Sequence, residues 1–193
     1  MQLRTLAAFG LAGAMAAGLG GTALAKTRPH KAVHRASHKV VHKAVKKATP
    51  SPFLKVEPGK KTVVFTVLAG DGTTNGGLDF DNTANGQLTL TVPVKWTVDV
   101  VFKNVGGLPH SVLFERASES LDAANPAPAF KGASSPDPVS GTPPGSGANF
   151  HFVAGTVGKY RMICAFPGHA ALGMWDNFIV AKGAKTATLT VKH

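Results

Sequence analysis

Apolar residues recur at every second position through much of the chain beyond residue 60. Leu88, Leu90, Val92 and Val94 alternate with Thr89, Thr91 and Pro93, and Trp96, Val98, Val100 and Phe102 alternate with Thr97, Asp99 and Val101. Leu189 and Val191 repeat the pattern near the end. A period of two belongs to a strand with one face in a core and the other in water. Further strands are expected at 61–68, 110–114, 150–154, 159–164 and 176–182. Turn formers such as Asp71-Gly72 and Asn75-Gly76-Gly77 separate them. Many short strands at this spacing predict an all-β fold, an antiparallel two-sheet Greek-key sandwich or barrel.

One region breaks the rhythm. Residues 117–149 contain Pro126, Pro128, Pro136, Pro138, Pro143 and Pro144 among many Ala, Ser and Gly. Proline cannot donate to a ladder, so the region reads as a long loop insertion on the surface rather than a central strand. Phe130 is its expected anchor, an aromatic ring free to enter an apolar surface. The folded domain is then 53–193, with Thr49-Pro50-Ser51-Pro52 as its boundary.

Residues 1–25 read as a signal peptide. Arg4 supplies a positive start, Leu6 to Leu19 an apolar stretch, and Ala23-Leu24-Ala25 a small-residue cleavage pattern before Lys26. The competing reading is an uncleaved membrane anchor, but five glycines between Gly10 and Gly21 dilute its hydrophobicity. Both readings place the remainder outside the cytoplasm, in the periplasm or on the outer face of the membrane.

The net charge of +11 is unevenly spread. Residues 26–50 carry eight Lys and Arg and no acid, whereas residues 51–193 carry 12 basic and 10 acidic side chains. The body is therefore nearly neutral. In the basic tail, 26–52, His30, His34, His38 and His42 recur every four residues, each followed by Lys or Arg. Like charges repel and large apolar groups are few, so a solvated tether is the expectation. Attraction to a membrane surface and metal capture by histidine are the alternatives. Nucleic acid is not expected as a partner, because export removes the tail from it.

Chemistry concentrates in CAFPGHAALGM, residues 164–174. Cys164 is the sole cysteine, so no intramolecular disulfide can use it. His169 follows five residues later and Met174 five after that, with Pro167-Gly168 and Gly173 favouring a turning loop. Thiolate, imidazole and thioether are ligand types of a blue copper centre, which needs one more histidine. His110 is the candidate, since it shares strand parity with inward Val112 and Phe114, as Cys164 does with Tyr160 and Met162. His151 and His193 have no ligand pattern around them and are read as structural or exposed.

Two segments carry a family resemblance. FKNVGGLPHSVLF (102–114) resembles the first-histidine segment of the cupredoxins, and YRMICAFPGHAALGMW (160–175) resembles their ligand loop. The Cys–four residues–His–four residues–Met spacing is similar to that of sulfocyanin- and auracyanin-type members. The resemblance implies one type 1 copper per chain, with His110, Cys164 and His169 as equatorial ligands and Met174 as axial ligand. It also implies a one-electron carrier rather than an enzyme, a monomer exchanging electrons with a donor and an acceptor of a respiratory chain. Ser111 stands where many cupredoxins have an asparagine.

Met162, Phe166, Leu172 and Trp175 are expected to exclude water from the site. Leu108, Pro109, Phe166 and Ala170 are expected to frame His169 as an apolar docking patch. Two other functions and one other metal remain in view. Copper storage or delivery would use the histidine tail to load the site. A multicopper enzyme would need a second cluster, but only four histidines lie outside the tail. Zinc would accept the same ligands.

Overall fold

The computed structural model describes residues 51–193. The expected signal peptide and nearly all of the basic tail lie outside the described residues. Nine strands follow in order: β1 (Leu54–Glu57), β2 (Thr62–Ala69), β3 (Leu88–Pro93), β4 (Thr97–Asn104), β5 (Leu113–Arg116), β6 (Gly147–Val153), β7 (Gly158–Ile163), β8 (Trp175–Ala181) and β9 (Thr188–Val191). They form two sheets, ordered β1-β2-β4-β6 and β5-β7-β8-β3-β9. The alternating residues do face a common core. Val63, Phe65 and Val67 of β2, Leu88, Leu90 and Val92 of β3, Val98, Val100 and Phe102 of β4, and Phe178 and Val180 of β8 are all buried.

The class is the expected one, but the sheets are mixed rather than purely antiparallel. β2 lies parallel to β4, from Thr62 beside Thr97 to Ala69 beside Asn104. β3 lies parallel to β8, from Thr89 beside Asn177 to Pro93 beside Ala181. The cause is the connection at Val94-Lys95-Trp96, where Lys95 takes a left-handed φ of 67° and the chain changes sheets. A strand that leaves for the facing sheet and a successor that returns run in the same direction. Hydrophobic period reports which face is buried, and it is silent on direction.

The proline-rich stretch is more than a surface excursion. From Ala129 to Ser135 it lies against Val112–Phe114 through three backbone bonds: Ala129 N–H to Phe114 C=O (2.8 Å), Phe114 N–H to Ala133 C=O (2.9 Å) and Ser135 N–H to Val112 C=O (2.8 Å). Ala133 and Ser135 are buried. Phe130 is the anchor, its ring 4.8 Å from that of Tyr160 and 5.5 Å from that of Phe152. A nearer part of the stretch covers the outer face of β5, β7 and β8, where half-buried Leu121 packs on Leu113, Ile163, Ala165 and Ala170. Hence Leu113, Phe114 and Glu115 are all buried, and the two-residue alternation fails there. Glu115 pairs with Arg161 at 2.6 Å, a charge balance that its burial requires.

The first histidine's segment also differs from expectation. Residues 110–112 are not ladder residues, and β5 begins only at Leu113. His110 instead exchanges both backbone bonds with Thr142 of the proline-rich stretch, at 3.2 and 2.6 Å. A bridge to a loop can hold this residue because Pro109, which precedes it, favours extended backbone without supplying an amide.

Asp81 is buried where it accepts a hydrogen bond from Leu68 N–H at 2.8 Å, while its second oxygen has no partner. Burial, abetted by the charges of Asp71, Asp176 and Asp79 and opposed by the Leu68 amide, pushes its carboxyl up to about 8. A raised carboxyl pKa means that the folded chain keeps a proton the unfolded chain releases near pH 4. This contribution to stability is complete below about pH 4 and is lost as pH rises to about 8. Denaturation of the metal-free chain across that window should show stability falling with pH. Asp81→Asn, which keeps the acceptor for Leu68, should flatten the slope.

Candidate metal centre

Three side chains converge at one end of the barrel. Cys164 directly follows β7, His110 precedes β5, and His169 sits in the loop between β7 and β8. Their ligand-type atoms all lie within 4.8 Å of one another, and all three residues are buried. Cys164 Sγ is 3.4 Å from His169 Nδ1 and 3.9 Å from His110 Nδ1. A metal held at about 2.0 Å by nitrogen and about 2.3 Å by sulfur keeps such donors roughly 3.5–3.7 Å apart at near-trigonal or tetrahedral angles. The donors therefore stand at the separation a shared ion requires.

The loop is closed by its own backbone. Cys164 N–H donates to Met174 C=O at 3.1 Å, and Met174 N–H donates to His169 C=O at 2.9 Å. Met174 is wholly buried, and its backbone bonds to Cys164 and His169 place it next to two of the three. His151 and His193 are exposed and away from the cluster, as read from the sequence.

Two neighbours link the His110 segment to the cysteine. Ser111 N–H points at Cys164 Sγ (3.3 Å), and Ser111 Oγ accepts from Ala165 N–H at 2.9 Å. The serine thus ties the residue after His110 to the Cys164–Ala165 corner. Asn104 escaped the sequence reading. Its buried amide donates to Leu108 C=O (2.7 Å) and Thr142 C=O (2.8 Å), and its oxygen accepts from Gly106 N–H at 3.1 Å. An asparagine at the end of a strand carries no signal that would have singled it out. The close approach behind His110 needs glycine: a Cβ on Gly70 would lie 2.6 Å from Gly106 Cα.

Burial sets the protonation of these side chains. It lowers His110 to about 4, with the charge of His169 acting in the same sense. It lowers His169 as well. Both imidazoles are therefore held neutral, the form that ligates. Burial pushes the Cys164 thiol up, against the Ser111 and Phe166 amides and the Ser111 hydroxyl, which favour the thiolate. A cation is what allows a thiolate to persist in such a place.

The Sulfocyanin (SoxE) domain family matches residues 50–191. The chain belongs to the sulfocyanin family. It is 30% identical over 138 residues to sulfocyanin of Sulfolobus acidocaldarius, covering 68% of this chain and 69% of that one. Among solved structures, reduced auracyanin of Roseiflexus castenholzii is 26% identical with a TM-score of 0.44, over 63% of this chain and 97% of that one. A rusticyanin structure is 27% identical with a TM-score of 0.48, over 67% and 86%. Sulfocyanins are cupredoxins, so copper is the cofactor, and a soft sulfur with two imidazoles fits it.

Two details of the expected surroundings need correction. Ala170 is only 4% exposed, packed under Leu113 and Ile163, and cannot frame a docking surface. Leu172 is 64% exposed and does not shield the site from water. Both lie in a turn, where neither period two nor period 3.6 tells which side faces out. Replacing Ser111 by Ala should leave the buried Ala165 N–H without its acceptor and cost about 1–3 kcal/mol. Chemical denaturation of the metal-free chain measures that loss.

Proposed function

We propose that the chain is an exported one-electron carrier in which His110, Cys164 and His169 hold copper and Met174 stands as its weak axial ligand. The observation that carries this reading is the buried Cys–His–His cluster with its donors already at ligand separation. Copper supplies a Cu(I)/Cu(II) couple whose two states are both tolerated by this mixture of soft and borderline donors.

The protein's part is to keep those donors still. His110 is tied to Thr142, Cys164 to Met174, and His169 to Phe166 and Met174 through backbone bonds, and the Cys164 sulfur faces the Ser111 amide. Donors that do not move add little reorganisation to the passage of an electron. Phe166, its ring 4.8 Å from that of His169, excludes water on one side. His169 keeps 7% of its surface accessible, which supports its imidazole as the port. Leu108, next to His110 in sequence through Pro109, is 53% exposed, and with half-buried Phe166 it offers an apolar surface for a redox partner.

The reading extends beyond the described residues. Export rests on the signal-like residues 1–25, and weak attraction to a membrane surface on the eight cations of 26–50. A respiratory donor and acceptor, and action as a monomer, are parts of the same proposal. Storage or delivery is disfavoured by the burial of the cluster, since handing over an ion needs accessible donors.

Titration of the full metal-free chain with Cu(II) should give an intense thiolate charge-transfer band that saturates at one copper per chain. Cys164→Ser should abolish it. A pale spectrum in the native sequence, or saturation that depends on the tail histidines, would move the reading to copper handling. In the copper-loaded protein, Leu108→Asp should slow electron self-exchange, read by NMR line broadening, by about tenfold or more while the absorption spectrum is unchanged.

A further inference from the structure

The end of the ligand loop is held from outside. Between β2 and β3 the chain makes a Gly- and Asn-rich connection, residues 70–87, and this connection reaches across to Leu172–Asn177. Asn75 Nδ2 donates to Leu172 C=O at 2.8 Å and to Leu78 C=O at 3.0 Å. Asn85 N–H donates to Gly173 C=O and Gly86 N–H to Trp175 C=O, both at 2.9 Å. The Asp176 carboxylate accepts from Leu88 N–H and from the Thr83 hydroxyl, both at 2.8 Å, and Asn177 Nδ2 donates to Gly86 C=O at 2.7 Å. Leu172, Gly173, Trp175, Asp176 and Asn177 are thus all bound to this connection or to the start of β3. Met174 is the exception, its backbone turned to Cys164 and His169.

The fit is close enough to dictate residue types. Gly173 has φ of 101°, and a Cβ there would stand 2.5 Å from Asn85 Oδ1. Asn75 and Asn85 adopt left-handed φ values of 52° and 53°, which asparagine tolerates better than most residues. The Asp176 end of the rail is buried and part of the core. The Asn75 end is exposed, and Leu172 beside it is 64% exposed, so packing does not fix Leu172 itself. The carboxamide of Asn75 is the group from outside the ligand loop that ties Leu172.

We propose that Asn75 is a positioning residue for the Met174 thioether, acting through the Leu172 carbonyl. The inference rests on the assignment of Met174 as axial ligand. An axial thioether bond is long and weak, so its own strength does little to set its length. The backbone on either side of Met174 sets it instead. Asp176 and Gly86 fix the flank after Met174, Asn85 holds Gly173 just before it, and Asn75 holds the exposed beginning of that preceding flank at Leu172. Outer groups of this kind tune a metal site without touching it.

The test compares Asn75→Gly with the native chain, each in the native and the Met174→Leu background. Glycine keeps the left-handed conformation accessible and removes the carboxamide with its bonds to Leu172 and to the local Leu78 C=O, of which only the first reaches the ligand loop. In the metal-free protein, amide hydrogen exchange at Leu172 and Met174 should accelerate about five-fold, the effect of losing one ordinary hydrogen bond. In the copper-loaded protein, Asn75→Gly should shift the reduction potential and the electron paramagnetic resonance spectrum, and Met174→Leu should erase that shift. An equal shift in both backgrounds would overturn the proposal, because the amide would then act by another route. Faster exchange with unchanged potential and spectrum would overturn it too. If Met174→Leu alone changes neither potential nor spectrum, the axial assignment itself fails, a result separable from the other two.

Discussion

The contact between Ser111 and the Cys164–Ala165 corner is the joint on which the metal centre depends. Three of the proposed donors, Cys164, His169 and Met174, come from eleven consecutive residues and need only a turn to gather them. The fourth, His110, arrives from the far side of the proline-rich stretch. Ser111 brings its own amide to the sulfur and its hydroxyl to the next residue's amide, so position 110 is registered on position 164 by adjacent atoms. Asn104 and Thr142 then hold the His110 segment from behind. Without that joint, the ties of the His110 segment to Asn104 and Thr142 would remain, but nothing would register it directly on Cys164.

The barrel contributes rigidity in a particular way. The site lies at the exit of β7 and the approach to β5, adjacent antiparallel strands with Leu113 opposite Ile163. Both strands are covered on their inner face by the aromatic core and on their outer face by the residues around Leu121. A strand covered on both sides cannot tilt without opening a void, which close packing penalises. The donors inherit this stiffness, and it is the property that a one-electron carrier needs most.

Much of this was legible in the residues, for identifiable reasons. The alternation reported burial faithfully from Leu88 to Val92 and again from Trp96 to Phe102, and failed between them, where Pro93 is buried and Val94 only half-buried as the chain changes sheets. The spacing of Cys164, His169 and Met174 was readable because all three lie in one loop. Strand direction was not readable, since the run through Val94-Lys95-Trp96 looks continuous while the chain changes sheets. Ala170 and Leu172 misled because a turn has no period. Asn75, Asn85 and Asn104 look like ordinary turn formers, and their contacts, 97 residues away for Asn75 and Leu172, belong to the fold and not to their neighbours.

The uneven origin of the donors has a consequence for the unfolded chain. With thiol, imidazole and thioether inside eleven residues, the ligand loop is a chelating peptide before any strand has paired. Copper present at that stage is captured by the coil as well as by the native barrel. Whatever affinity the coil has is subtracted from the gain in stability that binding gives the fold. The difference between the two affinities then rests on His110, the proposed donor that folding delivers, and copper holds the chain to its native form less firmly than the native affinity alone implies.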